Sequence, residues 1–315
     1  MTKRVYDRNM GLLRPGLTRE QVVVKVLHMI RCQQITEFNE KLYIDVPTCF
    51  FRFNIAFFDL DKESKYQYLE DSVNVLSIKV ESDVDYPINI FGTVLARDQY
   101  DYRCVYLFKR GRDDSQFITS SDNNMLTLTG PNRALAVTDS MFFEFDLKIK
   151  GDGAVDEDFC KGQLRTLSLV SCLSTVNMVY THIPFALEAS LAINVLKGAF
   201  NFTGKVTAWT SENKNKIILY DSKVAGPRTE LGNGGSVVLT RVLAIPLGEE
   251  LVLSLCVYDD DREAECMELV MGHDVEESSR KLGPYELQVK IIWRGVLKRR
   301  RPNMWQYFGD FRVLR

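Results

Sequence analysis

The sequence lacks the short motifs that mark most catalytic and metal-binding sites. Its three histidines, His28, His182 and His273, lie far apart, without the HxH or HExxH spacing of a zinc site. There is no GxSxG nucleophile elbow. The glycine loop at residues 232–235 has neither the lysine nor the strand–helix setting of a phosphate loop, and it predicts a hairpin turn. These absences predict no catalytic residues, no bound metal and no cofactor.

Closely spaced cysteine pairs are also missing. The seven cysteines are odd in number, include no CxxC pair and stand mostly in apolar runs. A disulfide framework is typical of even numbers of cysteines in an oxidising compartment. The sequence therefore favours reduced core thiols in a cytosolic protein at Cys32, Cys49, Cys104, Cys160, Cys172, Cys256 and Cys266.

Long apolar runs are absent as well. The first ten residues, MTKRVYDRNM, lack the apolar centre of a signal peptide. No uninterrupted apolar run reaches the roughly 18 residues of a membrane span. We therefore expect no membrane partner and a location in the cytoplasm, with the nucleus as the alternative.

Charge of one sign does not dominate the chain. With 40 basic and 42 acidic residues, the formal net charge is −2, which argues against a uniformly basic nucleic-acid-binding protein. Basic residues are concentrated at both ends, in residues 1–14 and 294–315, whereas the body is acidic. The hydrophobic content of 45% and charged content of 26% predict an ordinary folded globular protein.

Alternation of apolar and polar residues is the strongest structural signal. Within residues 87–150, four short runs repeat near the two-residue period of strands with one buried face, at residues 88–95, 105–107, 125–128 and 143–149. Similar runs bounded by Gly, Pro, Asn or Asp predict strands at about residues 164–170, 176–180, 185–195, 205–210, 217–220, 236–245, 251–258, 265–271 and 285–293. The helix-favouring composition of residues 185–195 leaves a helix as the alternative there. The series predicts an all-β fold, an antiparallel β-sandwich.

A helical extension is expected before the sandwich. A cap at Thr18 and apolar residues at three- and four-residue steps predict a helix from residue 19 to about 43, after a loose arm. The Phe-rich stretch CFFRFNIAFFDLD predicts a segment buried against the sandwich, with an exposed hydrophobic contact as the alternative. We therefore expect three parts: an arm, helix and Phe-rich segment in residues 1–71, a β-sandwich domain in 72–294 and a basic aromatic tail in 295–315.

An acidic loop follows the apolar strand LVLSLCVY. Its three aspartates, residues 259–261, would need a second acidic loop, such as Asp98 with Asp101 or Asp113 with Asp114, to supply the six or more oxygens of a hard cation. Three acids at a strand end are more often a solvated turn. The sequence therefore predicts a turn, with a cation site as the alternative.

The C-terminal tail carries the sharpest functional signal. Basic residues supply affinity for phosphate, and flat aromatic rings stack on unpaired bases. This combination predicts contact with a ribosome or RNA, and the alternative is a nuclear-localisation-like run beside aromatics that pack on the sandwich. The residues predicted to bind are Lys298, Arg299, Arg300, Arg301, Trp305, Tyr307, Phe308 and Arg312.

Several ordered motifs together resemble a known family. They are FGTVLARDQYDYRCVYLFKRGRDDSQFI, LTLTGPNRALAVTDSMFFEFDLKIKGDG, LEASLAINVLKGAFNFTGKVTA, ILYDSKVAG and VKIIWR. Over about residues 75–294 they resemble a grass-specific family of unknown function, found alone and fused behind the ribosome-inactivating module of jasmonate-induced cereal proteins. The resemblance implies an all-β domain in a plant stress or defence setting tied to translation.

The fusion raises the question of rRNA N-glycosidase activity. Ribosome-inactivating enzymes place a catalytic Glu shortly before an Arg on one helix. Here Glu188 is followed by Leu191 and Ala192 where that Arg is expected, and no Arg follows before Arg228. Without the cation, the departing adenine lacks electrostatic support. Glu188 is therefore predicted to be a surface carboxylate on a strand.

The sequence thus predicts a non-enzymatic all-β interaction module that contacts a ribosome or RNA through its basic ends. The first alternative is a protein–protein scaffold or dimerisation module that uses the Phe-rich segment. A related N-glycosidase is the weaker alternative.

Overall fold

The computed structural model describes most of the chain between residues 16 and 295. The described ranges are 16–40, 43–50, 54–65, 71–98, 101–119, 124–137, 141–151, 153, 155–164, 168–170, 174–224, 230–259, 262–273, 275 and 277–295. They contain one α-helix, many antiparallel strands and two short 3-10 turns. The all-β fold class is confirmed.

The N-terminal helix is shorter than predicted. Helix α1 spans Arg19–Gln34 and begins with a capping box, in which Thr18 Oγ1 accepts from Gln21 N–H at 3.3 Å and Gln21 Oε1 accepts from Thr18 N–H at 2.9 Å. The extension of the helix to about residue 43 is wrong. Thr36, Phe38 and Asn39 have weak helix propensity and lie in the first strand of a hairpin instead.

The strands are numbered in chain order. The first ten are β1 (Thr36–Asn39), β2 (Ile44–Pro47), β3 (Asp71–Ser82), β4 (Ile88–Arg97), β5 (Val105–Arg110), β6 (Gln116–Ile118), β7 (Leu135–Val137), β8 (Phe142–Ile149), β9 (Glu157–Leu164) and β10 (Ser168–Val170). The others are β11 (Ser174–Ile183), β12 (Ala186–Lys197), β13 (Gly204–Thr210), β14 (Ile217–Asp221), β15 (Leu243–Pro246), β16 (Leu251–Asp259), β17 (Arg262–Met271), β18 (Glu277–Leu282) and β19 (Tyr285–Gly295).

Two sheets enclose a first hydrophobic core. One sheet has the order β10-β11-β3-β7, and the other has the order β5-β4-β8-β9 with β6 paired to β4. Alternate side chains of the strands point inward, so Val75, Ile90 and Phe145 are almost fully buried together. We call this unit the first sandwich.

Two further sheets enclose a second core. Their orders are β15-β12-β19-β18 and β14-β13-β16-β17. Ile193, Leu253 and Leu287 are fully buried in this core. We call this unit the second sandwich. The strand predicted at residues 185–195 is confirmed as β12, and its helical alternative is wrong.

The two sandwiches meet along the outer face of β3. Asn74, which points away from the first core, donates to the Ala244 carbonyl at 2.6 Å and accepts from the Ala244 N–H at 3.0 Å. A small cluster fills the contact, made of Ala134, Ala136, Ile183, Ala186 and Ala244. The span predicted as one sandwich domain, residues 72–294, therefore contains two hydrophobic cores on either side of the β11–β12 turn.

Two predicted strands do not form as expected. Residues 125–128 make only an isolated bridge, between Met125 and Lys79 of β3. The Gln116 side chain donates to Met125 O and accepts from Thr127 N–H. Of the strand predicted at residues 236–245, only β15 forms. The part before it donates from Val237 to the Ile193 carbonyl of one sheet and from Thr240 to the Leu219 carbonyl of the other.

Candidate ligand-binding cleft between the two sandwiches

A cleft of about 780 Å³ lies between the two sandwiches. Its walls come from β3, β6, residues 125–128 and β11 of the first sandwich. The second sandwich contributes β14, the residues next to β14 and those just before β15. The volume lies within the roughly 300–1,000 Å³ of known small-molecule sites. We call this feature the inter-sandwich cleft.

The wall of the cleft is largely apolar and open to solvent. Phe117 is 53% exposed because its neighbours on β6 face the first core, so the two-residue period turns Phe117 outward. Ile218 on β14 is 48% exposed for the same reason. Met125 and Val179 are also about half exposed. Together they form an apolar surface that faces a cavity and not a core.

Arg241 is the buried cation of the cleft. It is 8% exposed, and its Nη2 donates to the Val75 carbonyl of β3. Its Nε is buried and has no acceptor among the described residues. Burial lowers the pKa of Arg241 to about 10, since no anion compensates for the lost hydration. Neither this residue nor the cleft was identified from the sequence.

Three further charged residues line the cleft. Lys216 and Lys223 are cations, and the ammonium of Lys223 lies 3.9 Å from the centre of the Tyr258 ring. Asp221 is the acid among the described lining residues. Its carboxylate accepts from the Tyr258 hydroxyl at 3.0 Å and lies 4.0 Å from the Lys205 ammonium. The lining therefore carries a positive excess.

The Phe-rich segment packs on the first sandwich. Phe50 stacks on Tyr102 with ring centres 4.4 Å apart and meets Phe142 edge-on at 5.3 Å. Ile55 is fully buried, whereas Phe57 is exposed. Burial against the sandwich is therefore confirmed for Phe50 and Ile55.

A buried ion pair lies beneath that segment. Glu144 on β8 accepts from Arg97 Nε at 2.8 Å and Nη2 at 3.0 Å, and it also accepts from the backbone N–H of Phe50. The third nitrogen, Arg97 Nη1, donates to the Tyr102 carbonyl at 2.8 Å. The pair thus ties the Phe-rich segment to two strands of one sheet.

Asp98 and Asp101, two of the acids proposed as cation ligands, are hydrogen-bonded to other protein groups. Asp98 accepts from Arg133 Nη1 and from the Ala136 N–H, and Asp101 accepts from the Ser64 hydroxyl at 2.8 Å. Asp113 and Asp114 lie on a 3-10 turn and, in the described ranges, belong to no group of three potential metal ligands. Two of the aspartates at residues 259–261, Asp260 and Asp261, lie outside the described residues.

Two cysteines correct the prediction of reduced thiols. Cys256 on β16 and Cys266 on β17 face each other with Cα atoms 4.1 Å apart and form a disulfide. With Glu263 they form the one group of three potential metal ligands in the described chain, but here the sulfurs are bonded to each other. Cys32, Cys49 and Cys104 are free thiols, and Cys172 lies outside the described residues.

The free thiols are not activated as nucleophiles. Burial, together with the charge of Glu144, raises the pKa of Cys49 to about 11. Burial also raises the pKa of Cys32 and of Cys104. A thiol becomes reactive when its pKa is lowered, so these three cysteines have the protonated, unreactive form at neutral pH.

Glu188 is buried and not on the surface, so that prediction is wrong. The carboxylate is 2% exposed, accepts from the Ala134 N–H at 2.9 Å and from the Ser190 hydroxyl at 3.2 Å, and lies 3.8 Å from Arg294 Nη1. The β12–β19 register places Arg294 opposite Glu188. This cation is 106 positions away in sequence, which is why local spacing missed it. Glu188 does not line the inter-sandwich cleft.

The predicted RNA-binding residues, from Lys298 to Arg312, all lie outside the described residues. Within the described chain, no helix is both long and apolar enough to cross a membrane.

The comparison with protein families gives one match. The family model described as Domain of unknown function (DUF6598) matches residues 72–291, nearly the whole span of the two sandwiches. No curated protein matches the chain.

Solved structures give low-scoring matches. The paired C2 domains, A and B, of Extended-Synaptotagmin 2 match with 9% identity and a TM-score of 0.24, over 74% of this chain and 94% of theirs. A longer piece of the same protein, its SMP domain together with both C2 domains, matches with 8% identity and a TM-score of 0.24, over 89% of this chain and 66% of that one.

Proposed function

The chain belongs to the DUF6598 family through residues 72–291, and from its geometry we propose that it is a non-catalytic interaction module. The supporting observation is the use of its buried charges. Arg97 binds Glu144, Arg133 binds Asp98, and Glu188 accepts from a backbone amide. Catalysis needs ionisable groups that face a substrate, with a pKa suited to proton transfer. These groups face one another and hold the fold together.

For the partner, we propose a ribosome or RNA bound through the basic ends. The support comes from the sequence: residues 295–315 place Lys298, Arg299, Arg300 and Arg301 close to Trp305 and other aromatics. Phosphate contacts and stacking on unpaired bases need this combination. The family resemblance adds a plant stress or defence setting, tied to translation in the cytoplasm or nucleus, as part of the proposal.

Ribosome binding should depend on salt and on the tail. We expect the full chain to sediment with ribosomes at about 50 mM salt and to lose about 100-fold in affinity at about 200 mM, since each released counterion contributes to the salt slope. A chain ending at residue 294 should bind weakly at both concentrations. Sedimentation with quantitative blotting measures this.

A matched charge variant separates the two kinds of partner. The variant K298Q/R299Q/R300Q/R301Q keeps the tail length and the aromatics but removes four charges. If it and the wild type bind equally, and binding tolerates salt, the RNA hypothesis fails and the protein–protein scaffold is favoured. The burial of Phe50 and Ile55 already removes two anchors from the surface proposed for that scaffold.

An adenine-release assay tests the glycosidase alternative. We expect no release from ribosomes, because Glu188 is buried, accepts a hydrogen bond from the Ala134 N–H and does not line the inter-sandwich cleft. An active ribosome-inactivating enzyme serves as the positive control. Release that disappears in Glu188→Gln while the fold persists would contradict the non-catalytic proposal.

A further inference from the structure

Burial of the Arg241 guanidinium is energetically costly unless an anion binds to it. Its guanidinium is 8% exposed, and one of its nitrogens, Nε, has no hydrogen-bond acceptor in the described chain. No carboxylate of the described residues forms an ion pair with it. A buried charge without a partner is costly, and a buried donor without an acceptor adds to that cost. The cost of the unpaired charge falls if a carboxylate reaches the guanidinium from the cleft, which Arg241 lines.

The rest of the cleft indicates what is attached to that carboxylate. Leu76, Phe117, Met125 and Ile218 supply an apolar wall, and three of these side chains are about half exposed. Hydrophobic burial of a ligand chain along this wall is favourable in proportion to the apolar area covered. A compact, highly charged ligand such as a nucleotide would leave this apolar wall exposed to water.

We propose that the inter-sandwich cleft binds a free long-chain carboxylate, with its head group on Arg241 and its alkyl chain along Phe117, Met125 and Ile218. A guanidinium fork matches a carboxylate geometrically. The cations Lys216 and Lys223 on the lining favour a negative ligand, and the one acid of the described lining, Asp221, already accepts from the Tyr258 hydroxyl and lies 4.0 Å from the Lys205 ammonium. The inference rests on the proposed non-catalytic function in one respect: the carboxylate is bound and is not converted to a product.

Calorimetric titration of the full chain with dodecanoate, below its micelle concentration, tests the assignment. We expect saturable binding of one dodecanoate per chain and at least about tenfold weaker binding of dodecan-1-ol, which has the same alkyl chain without the charge. The variant Arg241→Met should lose about 10- to 100-fold in dodecanoate affinity and little in dodecan-1-ol affinity.

A second pair of variants keeps the test independent of Arg241. Ile218→Asp places a charge on the cleft wall and should abolish dodecanoate binding. The matched control is Val270→Asp on β17, which is 56% exposed, belongs to the same sheet and does not line the cleft. It should change the affinity by less than about twofold. Both positions are exposed, so both variants should fold.

The outcomes separate the two proposals. The ligand assignment is overturned if dodecanoate does not saturate, if dodecan-1-ol binds equally well, or if Ile218→Asp binds like Val270→Asp. Recovery of dodecanoate after incubation, analysed by mass spectrometry, should return it unchanged. Conversion to a product would overturn the non-catalytic function while leaving the ligand assignment standing.

Discussion

Glu144→Gln should destabilise the first sandwich by about 3–5 kcal/mol, because it leaves the Arg97 guanidinium buried without a counter-charge. Arg97 is 1% exposed. Burial pushes the pKa of Arg97 down, but the charge of Glu144 and its hydrogen bonds outweigh burial and raise the pKa above its ordinary value. Glutamine has the shape of glutamate but supplies no charge. Neutralising Glu144 therefore removes the interaction that keeps a charged Arg97 tolerable in the core.

Hydrogen exchange measures this loss where it occurs. The amides of β4 and β8 report on the first sandwich, and they should open more readily in the variant. Fluorescence of Trp209 and Trp293, on β13 and β19 of the second sandwich, is an internal control that should change less. Because the two sandwiches have separate cores, the loss of stability should be confined mainly to the first sandwich.

Two variants check the reason for the effect. Asp146→Asn removes a carboxylate from the same strand, but Asp146 is exposed, so its stability should stay within about 0.5 kcal/mol of wild type. The double variant R97M/E144M removes both charges and should recover most of the stability. A double variant as unstable as Glu144→Gln would show that packing, and not the unpaired charge, determines the loss.

The alternation of apolar residues was enough to predict the all-β class and most strands. It worked for β4 and β8, where polar residues alternate with buried apolar ones, whereas β16 was predicted as a continuous apolar run and is buried on both faces. It failed at residues 125–128, which bridge β3 only at Met125 and have the Gln116 side chain as partner for Met125 O and Thr127 N–H. Periodicity does not reveal such a side-chain partner.

The inter-sandwich cleft depends on contacts between distant parts of the chain. Arg241 stands in the run VVLTRVLAI, and one cation within an apolar run indicates a buried guanidinium. Its acceptor, the Val75 carbonyl, is 166 positions away. The sequence therefore held a signal for a buried arginine but none for the cavity beside it. The number of hydrophobic cores could not be predicted either, because the same alternation of apolar and polar residues is compatible with one sandwich or with two.

The disulfide was missed because it depends on a bulge. In the β16–β17 hairpin, Asp259 faces Arg262 and Tyr258 faces Glu263. Continued without interruption, that register would place Glu265 opposite Cys256. A register shift between Val257 and Tyr258 brings Cys266 there instead. One extra residue in a strand thus decides whether two cysteines meet, and spacing along the chain does not reveal it.

Gly92→Ala should prevent the first sandwich from folding at room temperature. Gly92 lies in the central strand β4, opposite Arg110 of β5 and Leu147 of β8, with a φ of +119° that side chains rarely adopt. An added Cβ would lie 2.1 Å from the Asp146 carbonyl oxygen, which is backbone of the paired strand and has no rotamer to change.

Either the β4–β8 ladder separates or the strand changes conformation, and both lose buried hydrogen bonds of the sheet. Gly111→Ala is the matched control, since Gly111 has an extended backbone with no atom within 4 Å of an added Cβ, and we expect it to change stability by less than about 1 kcal/mol. Soluble yield and hydrogen exchange of β4 and β8 measure both variants. A Gly92→Ala protein with wild-type protection in β8 would contradict the close approach of the two backbones, and with it the sheet on which the Arg97–Glu144 pair is built.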